Sequence, residues 1–331
     1  MIDYVKILIN NPNIDKIKNN SLFDFRVEVS EKNGDCSPKT VAIHHFCNII
    51  IYDTGIVLFT GSIHKLFNSL KEIKAPNYNP NNYKGYNGNM FTLENILEVR
   101  KHLCELLFCE PQQMTFQNIE FGINTNPLFC PKQFIKGLLY HTGKSFEFKY
   151  SRNYGQVEHN NYRIKIYNKS YQYNMEKHTL RIETGFKKSI EFNRTGIVTF
   201  ADVNTSTLNK ALKLLIMRFD EVVYYDKTIS KKGLSKPQIK NLNNYSNITY
   251  WIDTLKPNKR DEHKKRLKDF IIHNSNNLHL QLRNDLLKKG VIINRPPNNK
   301  KRVIFNSSNI ELNLTFKSLL ENTKNLFSIS S

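Results

Sequence analysis

The chain has 331 residues, 39% of them hydrophobic, with 21 Phe and 16 Tyr; that is enough apolar material for a sizeable core and excludes a disordered tail. Its net charge of +20 and pI near 9.6 favour a polyanionic partner, nucleic acid before anionic membrane, although the abundance of Asn and Lys weakens the raw lysine count. No apolar run reaches the length of a membrane-spanning helix.

In chain order, MIDYVKILI predicts a first strand, with Asp3 and Lys6 inside it, and not the charged and then apolar pattern of a secretion signal. SLFDFRVEVSEKNG predicts a second strand running into a turn at Asn33-Gly34. HHFCNIIIYDTGIVLFTGS places two β-branched runs around Asp53-Thr54-Gly55, a hairpin signal. IHKLFNSL then begins a helix or turn, and Ala75 to Met90, rich in Asn, Tyr, Gly and Pro, reads as a loop. FTLENILEVRKHLCELLF is a helix with Thr92 as N-cap, Glu94 in its first turn and Ile96, Val99, Leu103, Leu106 and Leu107 on one stripe. QNIEFGINTN is a strand. PKQFIKGLLYHTG reads as a second helix between Pro131 and Gly143. VEHNNYRIKIYNKSYQY and TLRIETGFKKS read as one strand each, and STLNKALKLLIMRFDEVVYYD as a helix of about 20 residues. Hairpins among mixed elements predict α+β: a mostly antiparallel sheet with flanking helices.

The composition shifts near residue 229. From 227 to 302 there are 19 Lys and Arg against 5 Asp and Glu, about +14 of the total charge. SKKGLSKPQIKNLNNY is a basic connector with room for a short helix. RDEHKKRLKDFIIHNS and NLHLQLRNDLLKKG read as helices, the second closed by Gly290, and PPNNKKR as a loop. The division expected is residues 1–228 as one domain and 229–331 as a basic, mainly helical region. Cys36, Cys47, Cys104, Cys109 and Cys130 form no CxxC pair and are odd in number, so the reading is a reduced, cytoplasmic protein with core cysteines.

Strand parity singles out one set of polar residues. Alternate residues share a face. Arg163, Lys165, Tyr167 and Lys169 fall on one side of RIKIYNK, Arg181 and Glu183 on one side of LRIET, and Glu120 and Asn124 on one side of NIEFGIN. If the three strands neighbour one another, two carboxylates, a tyrosine and lysines converge. That set suits phosphodiester transesterification, with tyrosine attacking phosphorus. A free tyrosine is only about 0.1% ionised at pH 7, so nearby charge or a base must supply roughly 4 kcal/mol. Carboxylates also hold Mg²⁺ or Mn²⁺. The spacing alone leaves open a plainer reading, in which these are solvated strand faces and Tyr167 is a strand-end aromatic.

MID at the start, GSIHK at 61–65, IEFGIN at 119–124, RIKIYNKSYQ at 163–172 and LRIETGFKK at 180–188 together resemble the phage replication protein family. These are rolling-circle initiators of the filamentous-phage type, and small Gram-positive plasmid initiators carry a similar aliphatic-Tyr-x-Lys segment before an Arg-hydrophobic-Glu strand. The similarity spans roughly residues 1 to 228. The resemblance implies a metal-dependent nicking-closing endonuclease with Tyr167 as nucleophile, Lys169 and Lys165 beside it, and Glu120 and Glu183 as Mg²⁺ or Mn²⁺ ligands. His64 is a further ligand candidate, and Asp3 could approach the same site. One departure stands out: His44 and His45 are adjacent, so no His-hydrophobic-His pair exists, which favours carboxylates. Tyr171 and Tyr173 share the parity of Tyr167 if the strand continues, as second nucleophiles or stacking platforms.

The expected partner is origin DNA, single-stranded or as hairpin or duplex, contacted by Arg163, Arg181, Lys187, Lys188, Lys231, Lys232, Lys264, Lys265 and Arg266. The absence of a GxxxxGK[ST] loop assigns unwinding to a separate helicase, with a host polymerase extending the 3′ end. The rivals are a non-catalytic, sequence-specific DNA-binding protein of a plasmid or phage, a tyrosine recombinase, disfavoured by the lack of an Arg-His-Arg set on helices, and an RNA-binding protein, disfavoured by the lack of a glycine-aromatic motif.

Overall fold

The computed structural model describes residues 1–29 and 36–296, and Met1–Pro296 form one compact unit. The turn expected at Asn33-Gly34, the PPNNKKR loop beyond Pro296 and the rest of the chain after it lie outside the described residues.

The first half alternates strands with short helices: β1 Ile2–Ile9, α1 Ile14–Lys18, β2 Arg26–Val29, β3 Cys36–His44, β4 Cys47–Tyr52, β5 Val57–Ser62, α2 Ile63–Leu70, α3 Leu93–Leu107 and β6 Met114–Thr125. Next come α4 Pro131–Ile135, β7 Leu138–His141, β8 Lys144–Ser145, β9 Glu147–Lys149, β10 Tyr154–Glu158, β11 Tyr162–Asn168, α5 Lys169–Tyr173 and β12 Leu180–Phe186. The remainder is α6 Ser189–Asn193, α7 Thr205–Asp220, β13 Val222–Tyr224, α8 Lys236–Tyr245, α9 Arg260–Asn274 and α10 Leu278–Ile293. The fold is α+β, as the mixed pattern predicts. Ten strands form one antiparallel sheet in the order β2-β3-β4-β5-β1-β6-β12-β11-β10-β9, and β13-β7-β8 form a smaller one.

Local chemistry accounts for the elements read correctly. Gly55, at φ +83°, lets the β4–β5 hairpin turn. Thr92 caps α3 reciprocally: its hydroxyl accepts the Asn95 N–H, and the Asn95 side chain accepts the Thr92 N–H at 2.9 Å. One apolar cluster joins the inward residues Ile119, Phe121, Ile123, Ile164, Ile166 and Ile182 to Leu208, Leu212, Leu215 and Phe219 of α7. Each such fully buried side chain contributes about 1.5–3 kcal/mol.

Four expectations are corrected. The stretch 131–143 is a helix only to Ile135. Gly137 then packs its bare backbone against the Tyr224 ring and the Tyr225 carbonyl, and Leu138 to His141, all buried, pair with β13. The stretch read as one strand through Tyr173 is a hairpin, β10 and β11, followed by a helix. His159 N–H donates to Tyr162 O at 2.8 Å to close the hairpin, and the Asn168 side chain accepts the Tyr171 N–H at 3.0 Å to start α5. The helix from Thr205 stops at Asp220, because Val222–Tyr224 is a strand. Gly290 does not close α10; it lies inside it, where a Cβ would run into the Leu212 side chain of α7. The composition change at 229 is not a break in packing among the described residues: Asp285 accepts the Asn126 N–H at 2.7 Å, and Arg283 pairs with Asp220 at 2.9 Å.

Candidate functional site

Strand order decides the site. β6, β12 and β11 are adjacent, and β1 lies on the other side of β6. Register sets Lys165 opposite Glu183 and Glu183 opposite Gly122, Tyr167 opposite Arg181 and Arg181 opposite Asn124, and Gly185 opposite Glu120. The polar sides of these strands therefore meet, as parity predicts. Gly122 and Gly185 leave room for this: a Cβ on Gly122 would strike Glu183 and Arg181, and one on Gly185 would crowd Glu120.

Carboxylates and cations alternate across this face. Glu120 accepts from Arg163 and from Lys165 Nζ, the latter at 3.1 and 3.2 Å. The same Lys165 ammonium pairs with Glu183. Glu183 Oε2 accepts Arg181 Nε at 2.6 Å and the Tyr167 hydroxyl at 3.1 Å. Arg181 also reaches Asp3 Oδ2 at 2.9 Å and Asn124 Oδ1 at 3.0 Å. Asp3 is completed by the Ser62 hydroxyl and by Asn87 Nδ2 at 2.7 Å. Buried charges are costly unless paired in this way. Asp3, Glu120, Glu183 and Arg181 are each no more than 5% exposed.

The electrostatics follow from burial and pairing. Burial pushes Asp3 and Glu183 up, but Arg181 on the first, and Lys165 with Arg181 on the second, outweigh it and hold both below the usual carboxylate range. Glu120 goes the other way, raised by burial and by the Glu183 charge. Burial opposes the Lys165 charge, yet Glu183 and Glu120 hold that amine above its ordinary range. Burial and then the Glu183 charge push the Tyr167 hydroxyl well above 10. Lys169 is nearly inaccessible, and burial followed by Arg181 drives its pKa well below 10.5.

Lys169 stands beside Tyr167 as expected, although from α5 and not from the strand: its Nζ lies 4.8 Å from the Tyr167 ring centre, 4.9 Å from that of Tyr173, and 2.5 Å from Asn87 Oδ1. The strand parity drawn through Tyr171 and Tyr173 is overturned by the start of α5. Tyr171 points to solvent, 61% exposed, while Tyr173 is buried and donates to Asn87 Oδ1 at 2.6 Å.

Glu120 and Glu183 are hard-oxygen donors of the kind that hold Mg²⁺ or Mn²⁺. As arranged they do not fit an open cation site, because the Lys165 ammonium bridges them. His64 is buried, stacks on Phe91 with ring centres 4.5 Å apart and bonds Asn89 Oδ1 at 2.7 Å; burial takes its pKa down to about 3. Among the described residues no group of three or more His, Cys, Asp or Glu side chains is placed to hold a metal ion.

Of the residues expected on DNA, Arg163 and Arg181 belong to this network and the others lie outside it. Arg181, expected on DNA, is buried and fully engaged within the site. Lys187 pairs with Glu158, Lys264 with Asp261 at 2.9 Å and Arg266 with Glu262 at 2.5 Å. Lys188, Lys231, Lys232 and Lys265 are exposed, Lys231 donating to Asn243 at 2.8 Å.

Asn87, Asn89 and Ser62 are contributors given no role by the sequence reading, which placed Asn124 on the face of Glu120 without assigning it a partner. Asn87 and Asn89 come from the loop read only as a loop, and Asn124 Nδ2 donates to both of their carbonyls, at 3.1 and 3.0 Å. Only the parity of Asn124 with Glu120 pointed to any of them. A cleft of about 390 Å³ opens beside Arg181, lined in part by His64, Asn89, Gly122, Asn124 and Lys289. No family model matches the chain, and neither a curated protein nor a solved structure matches it.

Proposed function

We propose that the chain is a rolling-circle replication initiator that nicks and rejoins origin DNA of a plasmid or phage through Tyr167. The supporting observation is the Tyr167 hydroxyl donating to Glu183 among Arg163, Lys165 and Arg181. The five motifs quoted above and the +20 charge support the same reading.

In the forward step the Tyr167 oxygen attacks phosphorus, a new phosphotyrosine bond forms to the 5′ side, and the bond to the 3′ oxygen breaks. The tyrosine proton leaves to water as the bond forms, because Glu183, held below the usual carboxylate range by Lys165 and Arg181, orients the hydroxyl but is too weak a base to keep its proton, and the departing 3′ oxygen takes a proton from water. The rejoining step reverses each transfer. An incoming phosphate competes with Glu120 and Glu183 for Lys165 and Arg163; their charges then stabilise the transition state. A divalent ion would have to displace Lys165 to reach Glu120 and Glu183. Helicase and polymerase activities belong to separate partners.

A second reading is a non-catalytic, sequence-specific DNA-binding protein. It is favoured by the same bridge, because every carboxylate of the site is already neutralised by a protein cation.

The discriminating experiment offers labelled origin DNA to wild type and Tyr167→Phe, with Mn²⁺, with Mg²⁺ and with EDTA. A covalent protein–DNA adduct in wild type that Tyr167→Phe lacks supports the nicking reading. Its dependence on metal shows whether Lys165 is displaced. Binding of a confirmed origin without cleavage in any buffer transfers the case to the second reading.

A further inference from the structure

The edge of the sheet next to Tyr167 is built around a turn that side chains seldom adopt. Between β9 and β10, Tyr150, Ser151 and Arg152 stand in succession at φ +53°, +52° and +62°, the left-handed region that favours glycine. The turn is held in place. The Asn153 N–H and Asn153 Nδ2 both donate to Tyr150 O at 3.0 Å. Asn153 is buried, and Asn168, the residue after Tyr167, donates to it twice, from its N–H to the carbonyl at 2.8 Å and from Nδ2 to Oδ1 at 3.0 Å. The strand that carries Tyr167 therefore maintains the strained backbone, and strain that is maintained points to use.

What the turn presents is an aromatic ring. Tyr150 is 69% exposed, and its ring stands edge-on to that of Tyr154, centres 6.2 Å apart at 86°. Tyr154 is the cross-strand partner of Tyr167, with ring centres 5.5 Å apart, and its hydroxyl donates to Gln156 Oε1 at 2.7 Å. On its other side Tyr154 is paired with Lys149, which is exposed. Register therefore lays Lys149, Tyr154, Tyr167 and Arg181 in one row across the sheet face, with Tyr150 against Tyr154. Exposed Arg152 rests on Phe148, its guanidinium carbon 4.8 Å from the ring centre. Glu147 lies one row away, its Oε2 3.4 Å from Gln156 Nε2.

We propose that Tyr150 is a stacking seat for one base of a single-stranded nucleic acid, that of the nucleotide flanking the phosphate that Tyr167 attacks, with Lys149 and Arg152 on the neighbouring phosphates. The chemistry selects this ligand. An exposed ring rimmed by cations offers a base its face and the backbone its counter-charges. A duplex keeps its bases stacked on one another, so only an unpaired strand supplies a free face. The held turn fixes the ring before the strand arrives, so little freedom is lost on binding. Tyr150 is a positioning residue and takes no part in making or breaking bonds. Its place beside the scissile phosphate rests on the nicking reading; its affinity for an unpaired base does not.

The test is fluorescence anisotropy of a labelled single-stranded oligothymidylate with the full chain in EDTA, where binding is read without cleavage. Tyr150→Ala is expected to bind about 5–150-fold more weakly, the range of one lost base stack, with unchanged far-ultraviolet dichroism. Tyr150→Phe keeps the ring face and should bind as wild type does. The slope of log K against log salt should stay the same in Tyr150→Ala and fall by about 0.7 in Lys149→Ala. The proposal is overturned if Tyr150→Ala binds as tightly as wild type, if Tyr150→Phe loses as much as Tyr150→Ala, or if wild type does not hold the oligonucleotide. The nicking reading is judged separately, by the adduct that Tyr167 forms on origin DNA. An adduct in wild type with unaltered affinity in Tyr150→Ala sinks the seat alone, and weakened binding in Tyr150→Ala with no adduct in wild type sinks the nicking alone.

Discussion

Tyr167 on β11 and Glu183 on β12 share a hydrogen bond of 3.1 Å, and the same carboxylate oxygen takes Arg181 at 2.6 Å. The tyrosine is therefore one of several donors to a carboxylate that stays served without it. Tyr167→Phe is expected to cost only about 1.5 kcal/mol in urea unfolding, the low end for a hydrogen bond to a charged group. Covalent adduct formation should vanish entirely. A loss above 4 kcal/mol would mean that Tyr167 is mainly structural.

Lys165 bridges two buried carboxylates, so removing it strands both. Lys165→Met should destabilise by about 3–5 kcal/mol, and Glu120→Gln added to it should recover part of the loss. In Lys165→Ala the Glu120–Glu183 pair opens to solvent cations. Mn²⁺ should then raise Tm in that variant more than in wild type. Equal shifts in a thermal scan would show that the ammonium does not block the carboxylates.

The histidines give stability a pH slope. His64 is held down to about 3 by burial, and His44 and His159 to about 4. Unfolded histidines protonate near 6.5, so from about 6.5 down to about 4 the unfolded chain binds more protons and stability falls. His64 alone accounts for about 3 kcal/mol by pH 4. Asp3 and Glu183, held low, extend the loss to more acid pH, while Glu120, held high, opposes it. His64→Gln keeps a donor for Asn89 and should flatten the slope by about 1.4 kcal/mol per pH unit. An unchanged slope would remove His64 from the account.

Gly290 sits where α10 meets Leu212 of α7. Gly290→Ala gains about 1 kcal/mol of helix propensity but overpacks the contact by about 1–3 kcal/mol. A net loss near 1 kcal/mol is expected. Adding Leu212→Ala should then cost less than it does in wild type, the coupling expected of touching residues. Additive losses in a double-mutant cycle would break the proposed contact.

DNA affinity should fall steeply with salt. Lys232 and Lys265 are exposed. Replacing both with Ala should lower the slope of log K against log salt by about 0.7–0.9 per lysine if each meets a phosphate. An unchanged slope would place the DNA elsewhere.

Which residues share a face is legible in the alternation of the strands. Period-two alternation in IEFGIN, RIKIY and LRIET is set by the pleat, so Glu120, Lys165, Tyr167, Arg181 and Glu183 were legible as outward neighbours before any pairing was known. Capping chemistry fixed Thr92, and the tight turn fixed Gly55. Where elements stop was less legible. The helix overran at Gly137 and the strand overran at Asn168, because a glycine packing on a distant tyrosine and an amide capping the next turn act through contacts that a local pattern does not contain. The tertiary structure alone decided that β6, β12 and β11 are adjacent, that Asn87 and Asn89 fold over them, and that Lys165 stands between two carboxylates. Strand order and loop docking are long-range pairings, and the charges of the site acquire their partners only through them.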